Sequence, residues 1–336
     1  MGVETRIAWA SHSFNPWRGC TKVSEGCANC YAEALSKRNH AVLGEWGDDG
    51  VRAMAAESAW AEVLRWDRAA AKAGERRRVF FSLGDPFEDR PELEPVRDRL
   101  LGYVVATPHL DWLLLTKRPE NVGPYFDRLN KRRRGYWHEH FGYLFEASGL
   151  PHEQWRGVVD AYGVGGEPKC LGDSSVSEWP IPNLWLGVSC ENQKRADERI
   201  PLLLQIPAAV RFVSAEPLLG PIDFYSINEF NGTSTDSFDA LYGYRTSYHY
   251  KAKNKAECSI GVHGYPYNRL DWVIVGGESG PKRRECEVEW IADIARQCHS
   301  AGVPVFVKQD SGPRDGMQGR IPDDLWNLKQ FPGGAR

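Results

Sequence analysis

The sequence predicts an α/β fold built on a parallel sheet, closed or partly closed into a barrel. Three observations predict it. Short apolar runs recur along the 336 residues. Segments of helical periodicity separate them. A charged residue follows within four positions of the end of each clear run. Near-continuous apolarity over about five residues suits strands buried on both faces, as in a parallel sheet. Alternation of strand and helix then favours parallel pairing.

The clear runs are residues 79–83, 111–115, 184–188, 210–213, 272–275 and 304–307. Residues 6–10 form a weaker candidate for a first strand. That makes six or seven strands, fewer than an eightfold barrel needs. Residues 95–106, 193–205 and 288–301 carry apolar side chains at helical spacing. The last of these ends in Ala301-Gly302, a helix stop. Residues 28–39 form a further expected helix. Two stretches break the rhythm, 131–182 and 222–270. Both are expected to be long insertions at the rim of a single domain covering 1–336. Loops of that length inside a compact domain are usually functional.

Composition narrows the function. The hydrophobic fraction is 42%, the charged fraction 26% and the net charge −3, as in a globular protein that does not coat nucleic acid. No apolar run reaches the roughly 20 residues that span a bilayer. No signal-peptide pattern opens the chain. The expectation is a cytoplasmic protein with no membrane partner. The basic runs Arg76-Arg77-Arg78, 131–134 and Lys282-Arg283-Arg284 could each touch phosphate, or could be solvated turns.

The strand ends carry candidate ligand residues, because in parallel α/β folds that rim is where ligands bind. They are Gly84-Asp85-Pro86, Thr116-Lys117-Arg118-Pro119, Ser189-Cys190-Glu191, Ser214-Ala215-Glu216-Pro217, Gly276-Gly277-Glu278 and Lys308-Gln309-Asp310. Gly276 and Gly277 would let a ligand approach the backbone. Glu216 and Glu278 could accept hydrogen bonds from an ammonium or from ribose hydroxyls. Lys117 and Lys308 could pair with a carboxylate or phosphate. Each could equally form a rim salt bridge.

Of the 8 cysteines, Cys20, Cys27 and Cys30 fall within eleven residues, spaced C-x6-C-x2-C. Such crowding in a reducing compartment points to a metal site. Three thiolates can hold three irons of a [4Fe-4S] cluster and leave the fourth open. An open iron can chelate the amino and carboxylate groups of S-adenosylmethionine (SAM). Zinc is the rival, with His12 or His40 as a fourth ligand. The aromatic wealth of 13 Trp, 13 Tyr and 13 Phe suits stacking on bases as well as packing. Trp137, Trp155, Tyr162 and the stretch from Tyr244 to Tyr250 lie in the two insertions.

The chain resembles the phage Gp37/Gp68 (three-Cys-motif, DUF5131) family, which is similar to radical SAM enzymes. The matching residues are Trp9, Asn15-Pro16, the stretch from Gly19 to Glu33, and Leu114-Leu115-Thr116-Lys117-Arg118-Pro119-Glu120. Further matches lie at 184–192, 195–199, 210–221, 271–280 and 303–309. The resemblance implies a radical SAM-like partial (β/α)6 TIM-type barrel, with the cysteine loop after the first strand. It implies that Gly84 and Asp85 meet the SAM amino group. The literal Gly165-Gly166-Glu167-Pro168 sits in an insertion and is set aside. Tyr31 stands beside the last cysteine, near the place of an adenine-packing aromatic. Ser189, Glu191 and Glu216 would line the SAM or substrate pocket. Lys117, Glu278 and Lys308 would contact substrate. The implied activity is radical chemistry begun by SAM cleavage, with isomerisation or modification of a hypermodified thymine or other base in phage DNA as one candidate. An external electron donor and a three-Cys-motif partner protein are implied too. The alternative is a non-catalytic zinc or iron–sulfur module that binds nucleic acid or protein.

Overall fold

A computed structural model describes residues 5, 7–131, 143–144, 146–151, 181–230, 235–254, 257–266 and 268–333. Gly165 to Pro168, Trp137, Trp155, Tyr162 and the basic residues 132–134 lie outside them. So do the side chains of the 244–250 stretch beyond Tyr244.

Seven strands form the main sheet: β1 (His12–Ser13), β2 (Arg77–Phe80), β3 (Leu110–Thr116), β4 (Leu184–Ser189), β5 (Val210–Ala215), β6 (Trp272–Gly276) and β7 (Val305–Gln309). Their order across the sheet is their order along the chain. That unreversed order suits a partial α/β barrel and differs from doubly wound sheets, whose order turns back on itself. β1 with β2, β2 with β3, β5 with β6 and β6 with β7 pair in parallel. Every residue of β4 and of β6 is buried. Burial on both faces is why these strands read as unbroken apolar runs.

The helices are α1 (Glu57–Ala73), α2 (Glu94–Ala106), α3 (Val122–Lys131), α4 (Gln193–Gln205) and α5 (Val288–Ala301). In α1, Ala59, Trp60, Val63, Trp66 and Ala70 form the buried stripe, and Gly74 at φ +66 ends it. Asn192 caps α4 by accepting from the Arg195 backbone N–H. Gly302 at φ +65 ends α5. In the 222–270 stretch, Ile227–Phe230, Thr235–Asp239, Tyr244–Asn254 and Glu257–Pro266 form an antiparallel four-stranded sheet.

Two local expectations change. Residues 7–10 make a turn closed by the Ala10 N–H on Ile7 O, and the first strand starts at His12. Trp9 is buried there against the edge of Phe80, so its apolarity serves packing rather than pairing. The helix expected over 28–39 is the shorter Tyr31–Ser36, followed by a single turn, His40–Leu43. Cys30 keeps a non-helical ψ of 120°, which delays the start. The Ser36 hydroxyl bonds to Gly44 O as the chain turns back.

Contacts divide the chain into two compact units. The first is essentially Met1–Leu186 with Pro207–Ala209, and the second Gly187–Ile206 with Val210–Gly334. No helix among the described residues is long and apolar enough to cross a membrane.

Candidate functional site

The cysteine loop grows from a short antiparallel pair, Trp17–Arg18 with Ala53–Met54. Trp17 is buried with its ring edge-on to Phe81. Gly19 follows at φ +111, where a Cβ would stand 2.5 Å from Glu45 O. Only glycine suits both that backbone and that approach. The loop is then tied to the turn after β2. Gly19 N–H donates to Leu83 O at 3.0 Å. Asn15 Oδ1 accepts from the N–H groups of Ser82 and Leu83 at 2.9 and 2.6 Å. The Tyr31 hydroxyl donates to Ser82 O at 2.8 Å, although the residue is 52% exposed.

A buried ionic network underlies this loop. Arg52 and Glu88 pair through two bonds, Nη2 to Oε1 at 2.6 Å and Nε to Oε2 at 2.9 Å. Glu88 Oε1 also accepts from Thr21 N at 3.0 Å. The second cation is Arg118, only 6% exposed. Its Nη1 donates to Asp85 Oδ2 at 2.9 Å and reaches Cys20 Sγ at 3.6 Å. Its Nη2 donates to Thr21 O at 2.7 Å.

The three thiols differ in environment. Burial, and then the charge of Asp85, push the Cys20 thiol up to about 12, while Arg118 opposes them. Burial also raises Cys30, opposed by the backbone N–H groups of Glu33 and Ala32 and by Lys117. The charges of Cys27 and Lys117 therefore both bear on Cys30. Cys27 lies at the end of the turn Glu25–Cys27, with its sulfur 3.9 Å from Ser24 Oγ. Burial alone would lower the Arg118 pKa, but Asp85 and Cys20 raise it above its ordinary value.

Among the described residues, no three His, Cys, Asp or Glu side chains are grouped as a bound metal would require. The donor chemistry nonetheless fits a thiolate-bound metal. Three cysteines share one loop, and N–H groups face the sulfurs of Cys20 and Cys30, as hydrogen-bond donors do behind metal-bound thiolates. His12 stacks flat on Trp66 with ring centroids 4.3 Å apart. His40 Nδ1 lies 3.3 Å from Ser36 Oγ.

The first unit thus brings together Cys20, Cys27, Cys30, Tyr31, Gly84, Asp85 and Lys117. Asp85 acts as its hub. Its Oδ1 accepts from Phe87 N and Thr116 Oγ1, and its Oδ2 from Lys117 N and Arg118 Nη1. Four donors saturate a carboxylate. At Gly84, a Cβ would come within 3.2 Å of Gly19 O and press on Phe81, so its missing side chain serves loop packing.

The remaining candidates lie in the second unit. Glu191 is fully buried and pairs with Arg199 at 2.9 Å. The same Arg199 nitrogen bonds to Ser189 O at 2.7 Å. Glu278 takes three bonds from Arg284, at 2.6 to 3.0 Å. Lys308 Nζ stands 3.2 Å from Glu216 Oε1 and 3.5 Å from Asp315 Oδ1. Ser214 donates to the other Glu216 oxygen at 3.1 Å. The paired glycines have a packing reason too. A Cβ on Gly277 would fall 2.4 Å from Ser311 N, and one on Gly276 would fall 3.0 Å from Glu216 Oε1.

Arg52 and Glu88 were not among the sequence candidates. Arg118 stood in the candidate stretch Thr116-Lys117-Arg118-Pro119, where the role was given to Lys117. Nothing in its spacing separates the lysine from the arginine.

A family model described as "Protein of unknown function (DUF5131)" matches residues 4–320. The chain belongs to the DUF5131 family. That match takes in the cysteine loop, the ionic network beneath it and all seven strands of the main sheet. It ends at Arg320, whose side chain clasps Asp310. No curated protein and no solved structure matches this DUF5131 chain.

Proposed function

We propose that this DUF5131 chain is a radical SAM enzyme in which Cys20, Cys27 and Cys30 hold a [4Fe-4S] cluster. One observation carries the reading. The C-x6-C-x2-C loop is tied by Gly19, Asn15 and Tyr31 to the turn at the carboxyl end of β2. Ligands of parallel α/β sheets bind at that end of the strands. When bound, the cluster and SAM supply one electron and a carbon radical able to abstract hydrogen.

The chain's own residues do the rest. Cys20, Cys27 and Cys30 would hold the cluster, which would supply an open iron for the amino and carboxylate groups of SAM. The Gly84–Asp85 turn would receive the amino group through its backbone, because the Asp85 carboxylate is already saturated. Lys117, whose charge reaches Cys30, pairs with a carboxylate or phosphate close to the thiols. Tyr31 offers an exposed ring beside the loop. In the second unit Glu216 and Lys308, which pair with each other at 3.2 Å, are the proposed substrate contacts, and Glu191 and Glu278 are committed to Arg199 and Arg284. A modified base in phage DNA is the proposed substrate class. The exposed rings of Tyr225, Tyr242 and Tyr244 are of the kind that stacks on bases. An external electron donor and a three-Cys-motif partner complete the proposal.

Anaerobic purification followed by iron and sulfide assay tests it. Iron and sulfide in equal amount, and release of 5′-deoxyadenosine on adding SAM and reductant, are expected. Zinc without sulfide would replace the enzyme with a metal-stabilised binding module. Nucleoside analysis of treated phage DNA tests the substrate, and an unchanged base composition would remove it.

A further inference from the structure

We infer that Arg118 is a positioning residue for Cys20, fixing this one sulfur among the three and raising the reduction potential of the cluster it helps to hold. The inference rests on the iron–sulfur reading above. It starts from a geometry that the three thiols do not share. The Cys20 sulfur has a charged guanidinium N–H at 3.6 Å. Cys30 is served by backbone N–H groups, and Cys27 has a hydroxyl at 3.9 Å.

The guanidinium cannot readily turn away. Nη1 is shared between Cys20 and Asp85 Oδ2, and Nη2 holds Thr21 O at 2.7 Å. Asp85 is itself held by Thr116 Oγ1 and by the N–H groups of Phe87 and Lys117. One rigid fork therefore grips the residue before and the residue after the Cys20–Thr21 peptide bond. A lysine offers one nitrogen where the guanidinium uses two, so it does not reproduce the planar fork that holds Cys20 and Asp85 on Nη1 and Thr21 O on Nη2. A hydrogen bond to a cluster sulfur draws electron density from the iron and stabilises the reduced form. A buried charged donor does so more strongly than a neutral one.

The test compares wild type, Arg118→Lys and Arg118→Met after anaerobic reconstitution. The readouts are iron and sulfide per chain, the midpoint potential from an EPR-monitored titration, and the rate of iron loss to a chelator. Circular dichroism checks the fold of each variant. Arg118→Met should hold a cluster of lower potential and bind iron about 10- to 100-fold more weakly, read as faster loss to the chelator, the usual cost of losing a partner that hydrogen-bonds a metal ligand. Arg118→Lys should lie between the two. If Arg118→Met does not fold, Arg118→Lys decides alone, since it keeps the charge and loses the fork. A folded variant with wild-type potential and wild-type iron release overturns the inference. Failure of the wild type to take up iron and sulfide overturns the cluster reading itself, which is a different result.

Discussion

Arg52 and Glu88 meet through two parallel bonds of 2.6 and 2.9 Å, with both side chains almost entirely out of solvent. The remaining Arg52 nitrogen, Nη1, bonds to Glu45 O and Gly50 O. Thus the pair joins the 45–52 segment to the cysteine loop through Thr21. Removing one partner leaves the other charge buried and uncompensated. Glu88→Ala should therefore cost about 3–5 kcal/mol. Denaturant unfolding of the metal-free protein measures it. A loss below about 1 kcal/mol would mean that water reaches Arg52 and that the network is not a buried one.

Cys286 and Cys298 should be inert. Burial pushes the thiols of Cys286 and Cys298 up to about 12. At pH 8 only about one part in ten thousand of such a thiol is thiolate, the reactive form. Timed alkylation and peptide mass mapping should find both protected until denaturant is added. Labelling of Cys298 in the native fold at the unfolded rate would contradict its placement inside α5.

Two aspartates should respond to acid in opposite directions. Burial alone would raise the pKa of Asp310, but hydrogen bonds from the Arg320 side chain and backbone, and from Ser311 N, hold it below its ordinary value. Its contribution is present above the unfolded pKa of about 3.9 and is lost as pH falls through the lower folded value. Asp310→Asn should destabilise at pH 7, and its deficit should shrink below about pH 3.9. Burial raises Asp271, against the Arg211 N–H that it accepts. There the ionised form costs stability at neutral pH, a cost relieved as pH falls through the raised folded value. Asp271→Asn should be neutral or stabilising at pH 7 and lose that advantage in acid. Parallel pH profiles of the two variants would refute this assignment.

Glycine substitutions should divide by what the new methyl meets. In Gly277→Ala it would press on the Ser311 backbone at 2.4 Å, and in Gly187→Ala on the Phe212 ring at 2.4 Å. Each should cost about 1–3 kcal/mol. In Gly123→Ala, inside α3, the methyl would meet nothing within 4 Å. That change should stabilise by about 0.4–1 kcal/mol. Thermal melting of the three variants gives the order directly.

Much of the fold was legible in the sequence. The strands buried on both faces announced themselves as apolar runs, and α4 and α5 run over the residues that periodicity predicts. β1 is only two residues long, so it carries no pattern, and the buried Trp9 draws attention to the wrong segment. α1 was legible in principle from Trp60, Val63 and Trp66, but its polar face dilutes the signal. At the site, cysteine spacing marked the loop. The partners beneath it could not be read, because Arg52, Glu88 and Arg118 come from three segments that meet only in space. The roles expected of Glu191 and Glu278 illustrate the same limit. A glutamate at a strand end looks alike whether it awaits a ligand or already holds an arginine.

The Gly19 crossing, with the backbone pinned at Leu83 and Glu45 close by, settles when the loop takes its shape. Its conformational entropy is surrendered as the chain folds. The proposed cluster would then load onto a narrow set of conformers, and its removal would leave the scaffold standing, unlike small domains whose folding waits on their metal.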